Sequence, residues 1–95
     1  MRCVERESRF PGGKSVSVAL CIHNKRIVRV SISGDFFAFP ETCIDTLERL
    51  LLGCCSEECI DAAIQKVSNE CRALGFEWPW LERLVIELWR EGCRS

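Results

Sequence analysis

Four large aliphatic side chains stand two residues apart in the first quarter of the chain: Val16, Val18, Leu20 and Ile22. That period places all four on one face of a strand over residues 14–23, with Ser15, Ser17, Ala19 and Cys21 on the other. A strand with one apolar face needs partners along its edges and a cover over that face. The partners are close by in sequence. His23-Asn24-Lys25-Arg26 is a short polar turn, and Asn24 accepts the left-handed conformation that a tight hairpin requires. Residues 27–33 then alternate again. Strict alternation puts Ile27, Arg29, Ser31 and Ser33 on one face and Val28, Val30 and Ile32 on the other. Upstream, residues 2–10 read as a third strand that stops at Pro11-Gly12-Gly13, strong turn chemistry. Tight turns cannot join parallel strands, so the three form an antiparallel meander.

After Gly34 the apolar period lengthens from two to three or four. Cys43, Ile44, Leu47, Leu50 and Leu51 make a helical stripe that opens near Pro40-Glu41 and stops at Gly53. Ser56 is the N-cap expected for a second helix, with Glu57 and Glu58 in its first turn. Its stripe runs Cys59, Ile60, Ala63, Ile64, Val67 and Cys71, with Gly75 as terminator. Pro79 suits the start of a third helix carrying Trp80, Leu81, Leu84, Val85, Leu88 and Trp89, ended by Gly92. The expected fold class is therefore α+β: a three-stranded antiparallel meander packed against three helices, as one domain over residues 1–95. At 47% hydrophobic and 28% charged residues the chain is globular rather than disordered. A core this small is thin, and reinforcement by disulfides, a metal or a partner is expected.

Eight cysteines occur: Cys3, Cys21, Cys43, Cys54, Cys55, Cys59, Cys71 and Cys93. Three uses are open to them. They can form disulfides, which inside cells are concentrated in hyperthermophiles; they can hold a metal or cluster; or they can be buried as small apolar thiols. No C-x-x-C pair exists, and His23 is the single histidine, so a metal site has little to build on. No apolar run is long enough to span a membrane, and Met1–Glu7 does not have the make-up of a secretory signal, so a cytoplasmic location is expected. Charge is divided unevenly. Residues 1–30 hold seven basic and two acidic side chains, and the rest hold six basic and twelve acidic. The basic front half either faces a phosphate or an acidic partner or is a solvated strand surface.

Ser33-Gly34-Asp35-Phe36-Phe37 joins the last strand to the first helix. Gly34 permits an unusual turn and Asp35 can accept backbone N–H groups there. Two adjacent phenylalanines cannot share one strand face, so at least one packs under a helix or stands exposed as a contact residue. With Pro11-Gly12-Gly13-Lys14 upstream, Phe39-Pro40-Glu41 after it and Leu47-Glu48 in the next helix, this order resembles the C-terminal domain of lipoate–protein ligases over residues 8–75.

The resemblance implies a SufE/NifU-like α+β fold and an accessory role. In that family a separate large catalytic domain binds lipoate, ATP and Mg, forms lipoyl-AMP and passes the lipoyl group to a lysine of an acceptor protein. In some organisms, mostly archaeal, the two domains are separate polypeptides, and this chain looks like the small one of a heterodimer. It lacks the arginine- and glycine-rich motif of the catalytic domain. The resemblance thus implies no catalytic residue here, no cofactor bound by this chain alone, and the catalytic large subunit as partner, with the acceptor protein as a second contact. An octanoyl substrate fits the same resemblance. The residues expected to face the partner or its active site are Gly12, Gly13, Lys14, Gly34, Asp35, Phe36 and Phe37. Trp78, Trp80 and Trp89 have no role in it. The main rival is a sulfur-carrying or iron–sulfur scaffold of the same fold using its cysteines, although no cysteine stands at the Gly34-Asp35 loop where such scaffolds place one. Nucleic-acid binding finds no motif.

Overall fold

A computed structural model describes residues 1–94. Three strands, β1 (Arg2–Arg9), β2 (Ser15–His23) and β3 (Arg26–Gly34), pair antiparallel in the order β1-β2-β3. A short strand β4 (Phe37–Phe39) leads into α1 (Cys43–Leu51) and α2 (Glu57–Glu70). Then come a second short strand, β5 (Arg72–Leu74), and α3 (Trp78–Cys93). The central row Val16, Val18, Leu20 and Ile22 is wholly buried under the helices. Helix α3 lies over β1 and β2, α1 covers β3, and α2 packs chiefly on the other two helices. At Gly92 a Cβ would strike the Ile22 side chain, so the glycine allows α3 to settle onto β2. It does not end the helix, which runs on to Cys93.

Strict alternation fails at one point on β3. Cys21 faces Arg29 and Ile22 faces Ile27, so Val28 has no partner and forms a bulge. The extra residue turns Ile27 to the core, in line with Val30 and Ile32, and leaves Val28 43% exposed. The expectation that Ile27 shares a face with Arg29 is corrected by that one residue. The hairpin turn itself has Asn24 and Lys25 both at positive φ, the conformation a two-residue hairpin loop requires. Trp89 of α3 donates its indole N–H to the Lys25 carbonyl at 2.9 Å, which gives this tryptophan a structural task.

The second helix stops at Glu70, earlier than its apolar stripe suggests. Cys71 is already extended, and the chain enters β5 rather than ending at Gly75. At its other end the expected cap is present: the Ser56 hydroxyl accepts the Cys59 N–H at 3.2 Å. Strand β5 pairs with β4, matching Phe37 with Leu74, Ala38 with Ala73 and Phe39 with Arg72. This two-stranded ribbon links the strand-to-helix corner to the approach to α3.

Six cysteines form bridges: Cys3–Cys21 across β1 and β2, Cys43–Cys71 from α1 to the start of β5, and Cys54–Cys59 around the α1–α2 loop. Bridging partners 18 and 28 residues apart restricts the unfolded chain by about 3 kcal/mol each, and the 5-residue bridge contributes about 2 kcal/mol. These are large terms for a core this thin. Cys55 is an exposed thiol and Cys93 a half-buried one, whose pKa burial pushes up.

The basic front strand meets the acidic helix within the molecule. Arg6 pairs with Glu87 at 3.3 Å and Glu91 at 3.1 Å, while Arg90 of α3 grips Glu57 of α2 with two N–H groups. The Arg6 pairs thus consume a little of the charge asymmetry internally, and all of these pairs are exposed and of small individual worth. A stronger interaction closes the outer edge of β3, where Glu48 of α1 accepts the Ile32 backbone N–H at 2.7 Å. An edge N–H left without a partner and half-buried is costly, so Glu48→Ala is expected to destabilise the fold by about 1–3 kcal/mol in denaturant unfolding, and Glu48→Gln by less.

A second expectation concerns pH. Burial, then a hydrogen bond with Asp61 and its negative charge, hold the Glu82 carboxyl above its ordinary 4.5. A folded-state pKa raised above the unfolded value gives stability that is complete below 4.5 and is lost as pH rises through the folded value. Thermal melts of Glu82→Gln should lack this step and show a higher Tm than the parent at pH 7.

Candidate functional site

The two motifs set apart in the sequence meet in space. At the β1–β2 turn, Gly13 donates to the Phe10 carbonyl at 2.7 Å and Phe10 donates to the Lys14 carbonyl at 3.1 Å. The Lys14 backbone N–H then reaches across to the Gly75 carbonyl at 2.9 Å, tying the turn to the end of β5. Gly13 and Gly75 are jointly required by this approach. A Cβ on Gly13 would strike the Gly75 carbonyl oxygen, and one on Gly75, at φ +118°, would meet the Phe36 and Lys14 side chains. From the other motif, Asp35 donates its N–H to the Ser15 carbonyl at 3.2 Å, and Gly34 lies against that same carbonyl. The Gly12–Lys14 turn and the Gly34–Phe37 corner are therefore one structure, joined through Ser15 and Gly75.

The two phenylalanines part, as adjacent side chains on a strand must. Phe36 points inward and meets Phe76 edge-on, with ring centroids 5.0 Å apart. Phe76 in turn contacts Trp78 edge-on at 5.2 Å, and Phe10 meets Trp80 at 5.4 Å. Trp78 and Trp80 thus pack as an aromatic wedge beneath the turn. Phe37 points out. With Phe39 and Leu74 it forms the outer face of the β4–β5 ribbon, where the three are 65%, 50% and 52% exposed. Arg72 lies opposite Phe39 on the same ribbon and is exposed. Three large apolar side chains are thus gathered on one small exposed face.

Of the seven residues singled out in the sequence, Gly12, Lys14, Gly34, Asp35 and Phe37 are exposed, while Gly13 and Phe36 are turned to internal contacts. Lys14 is held at its backbone by two hydrogen bonds, with its ammonium in none of the ion pairs among the described residues. Phe39, Arg72 and Leu74 were missed, because three-residue strands leave no periodicity to read. The Phe37-Ala38-Phe39 alternation was the available signal. Among the described residues no group of three or more His, Cys, Asp or Glu could hold a metal ion. With six thiols in disulfides, Cys55 is the one exposed thiol left for the sulfur-scaffold reading.

The family of the bacterial lipoate protein ligase C-terminus matches residues 3–77, and the chain belongs to it. It is also similar to a chain in the structure of a bi-partite lipoate protein ligase and its E2 lipoyl domain from Thermoplasma acidophilum. That match has 28% identity and a TM-score of 0.65, and covers 98% of each chain. No curated protein matches.

Replacing Gly75 by alanine tests the joint between the two motifs. A Cβ at positive φ, pressed on Phe36 and Lys14, should cost about 2 kcal/mol or more in denaturant unfolding.

Proposed function

We propose that this chain is the accessory subunit of a two-component, ATP-dependent lipoate–protein ligase, assisting a catalytic subunit in forming lipoyl-AMP before transfer to an acceptor lysine. The observation that carries this reading is the similarity to the bi-partite archaeal ligase over 98% of both chains. Membership of the ligase C-terminal family supports it. Lipoate, ATP and Mg are assigned to the catalytic subunit.

The physical role follows from what adenylation demands. Charge develops on phosphate, and the activated acyl group must be kept from water, so a domain that closes over the site contributes by ordering its loops and excluding solvent. The ribbon face of Phe37, Phe39 and Leu74 is the surface through which this chain docks, since its apolar groups gain most from being covered. Lys14 sits beside that face on a backbone fixed by the Gly75 contact, a position from which an ammonium can meet an acidic rim or a phosphate. Gly12 and Asp35 are exposed as well, with Asp35 bonded to Ser15, the residue after Lys14. Gly13 and Phe36 set the shape of the corner from within, and the exposed Gly34 allows its close approach to the Ser15 carbonyl.

Mixing this chain with the large ligase subunit of the same source should give lipoate-dependent lipoyl-AMP that neither protein forms alone at the same rate. The variant Phe37→Ser/Phe39→Ser should keep the parent's Tm, because both rings are exposed, and lose about thirtyfold or more in the concentration needed for activation. Full activity of the large subunit alone, with no binding of this chain, would refute the reading.

A further inference from the structure

The ribbon that carries the docking face is too small to hold itself. Each strand is three residues long, and two paired strands of that size are marginal in water. Two attachments fix it. At one end stands the Lys14–Gly75 hydrogen bond, with Phe36 packed on Phe76. At the other stands the Cys43–Cys71 bridge: Cys71 directly precedes β5, and Cys43 opens α1 shortly after β4. We propose that Cys43–Cys71 is a redox-controlled staple that keeps the ribbon in its docking shape, so that a dithiol reductant releases the face from the catalytic subunit.

The two sulfurs differ in the way such a switch needs. Cys43 is buried, whereas Cys71 is half-buried and lines a surface groove with Arg72, Phe76 and Trp78. An incoming thiolate therefore attacks the Cys71 sulfur and forms a mixed disulfide there. The Cys43–Cys71 bond breaks, and Cys43 leaves as a thiolate. As the first residue of α1 it departs at the positive end of a helix, which favours that leaving group. The reductant's second thiol then attacks the mixed disulfide, Cys71 is released, and both cysteines take up protons. Two electrons and two protons pass to the bridge, and the dithiol becomes a disulfide. The other bridges lack this consequence. Cys3–Cys21 lies within a ladder of paired residues that runs from Arg2 to Arg9, so the strands stay paired without it. Cys54–Cys59 closes a short loop at the far end of α1 from Cys43.

The loss of docking rests on the accessory-subunit reading, but the loosening of the ribbon does not, and the test separates them. Amide hydrogen exchange and affinity for the catalytic subunit are measured on the oxidised chain, on Cys43→Ser/Cys71→Ser, and on Cys3→Ser/Cys21→Ser. Opening the staple should speed exchange at residues 37–39 and 72–74 at least tenfold, leave β2 and β3 protected, and weaken binding at least tenfold. Opening Cys3–Cys21 should change neither ribbon exchange nor binding. Unchanged ribbon exchange, equal binding of stapled and opened chains, or a general loss of protection including β2 would each overturn the proposal. An oxidised chain that does not bind the catalytic subunit would overturn the accessory reading and the docking consequence, with the exchange data still deciding whether the bridge holds the ribbon.

Discussion

Burial of one row of side chains on the central strand organises this molecule. Val16, Val18, Leu20 and Ile22 sit between two partner strands with α3 packed over them, and the neighbouring elements join the same core. Strand β3 bulges at Val28 so that Ile27 joins Val30 and Ile32 on that side. Helix α3 carries glycine where it presses on Ile22. Helix α1 brings Leu47 and Leu51 to the same core and sends Glu48 to close the β3 edge. The row is short and the chain small, so burial alone leaves little margin, and the three disulfides supply the rest by restricting the unfolded chain.

The same packing explains why the exposed ribbon exists. The link from β3 to α1 and the link from α2 to α3 run side by side past the β1–β2 turn, and their backbones pair there as β4 and β5. Two glycines, Gly13 and Gly75, allow the three segments to touch. The inner side of the corner is filled by Phe36, Phe76, Trp78 and Trp80, while Phe37, Phe39 and Leu74 on the outer side are exposed. Phe37, Phe39 and Leu74 are left in water as one apolar patch, the surface to which the proposed function assigns the partner.

Much of this was legible in the residues, and what was not has physical causes. Strong periodicity gave the meander and the helices: β2 alternates without a break, and Ser56 caps α2 where a serine before two glutamates is expected. Periodicity could not reveal the bulge, because a single inserted residue is recorded in pairing across strands rather than along one. Nor could it reveal β4 and β5, whose pairing joins segments far apart in sequence. Cysteine pairing is likewise a property of the fold. Cys71 looked like the end of a helical stripe, and its bridge to Cys43 draws on the strand that replaces the helix there. The tryptophans, left without a role by the family resemblance, found structural tasks: Trp89 on the hairpin turn, Trp78 and Trp80 under the corner. For the candidate site, the sequence named Gly12–Lys14 and Gly34–Phe37 as separate stretches, and the structure joined them through the Lys14–Gly75 contact and added Phe39, Arg72 and Leu74.

In the proposed assembly this chain serves a catalytic ligase subunit by docking the β4–β5 face upon it. That contact is read by amide hydrogen exchange of the oxidised chain, with and without the catalytic subunit. Docking through the ribbon should slow exchange at residues 37–39 and 72–74 and at the Gly12–Lys14 turn, with the amides of β1 unchanged. Protection confined to β1, β2 and β3, or no protection at all, would refute docking through this face.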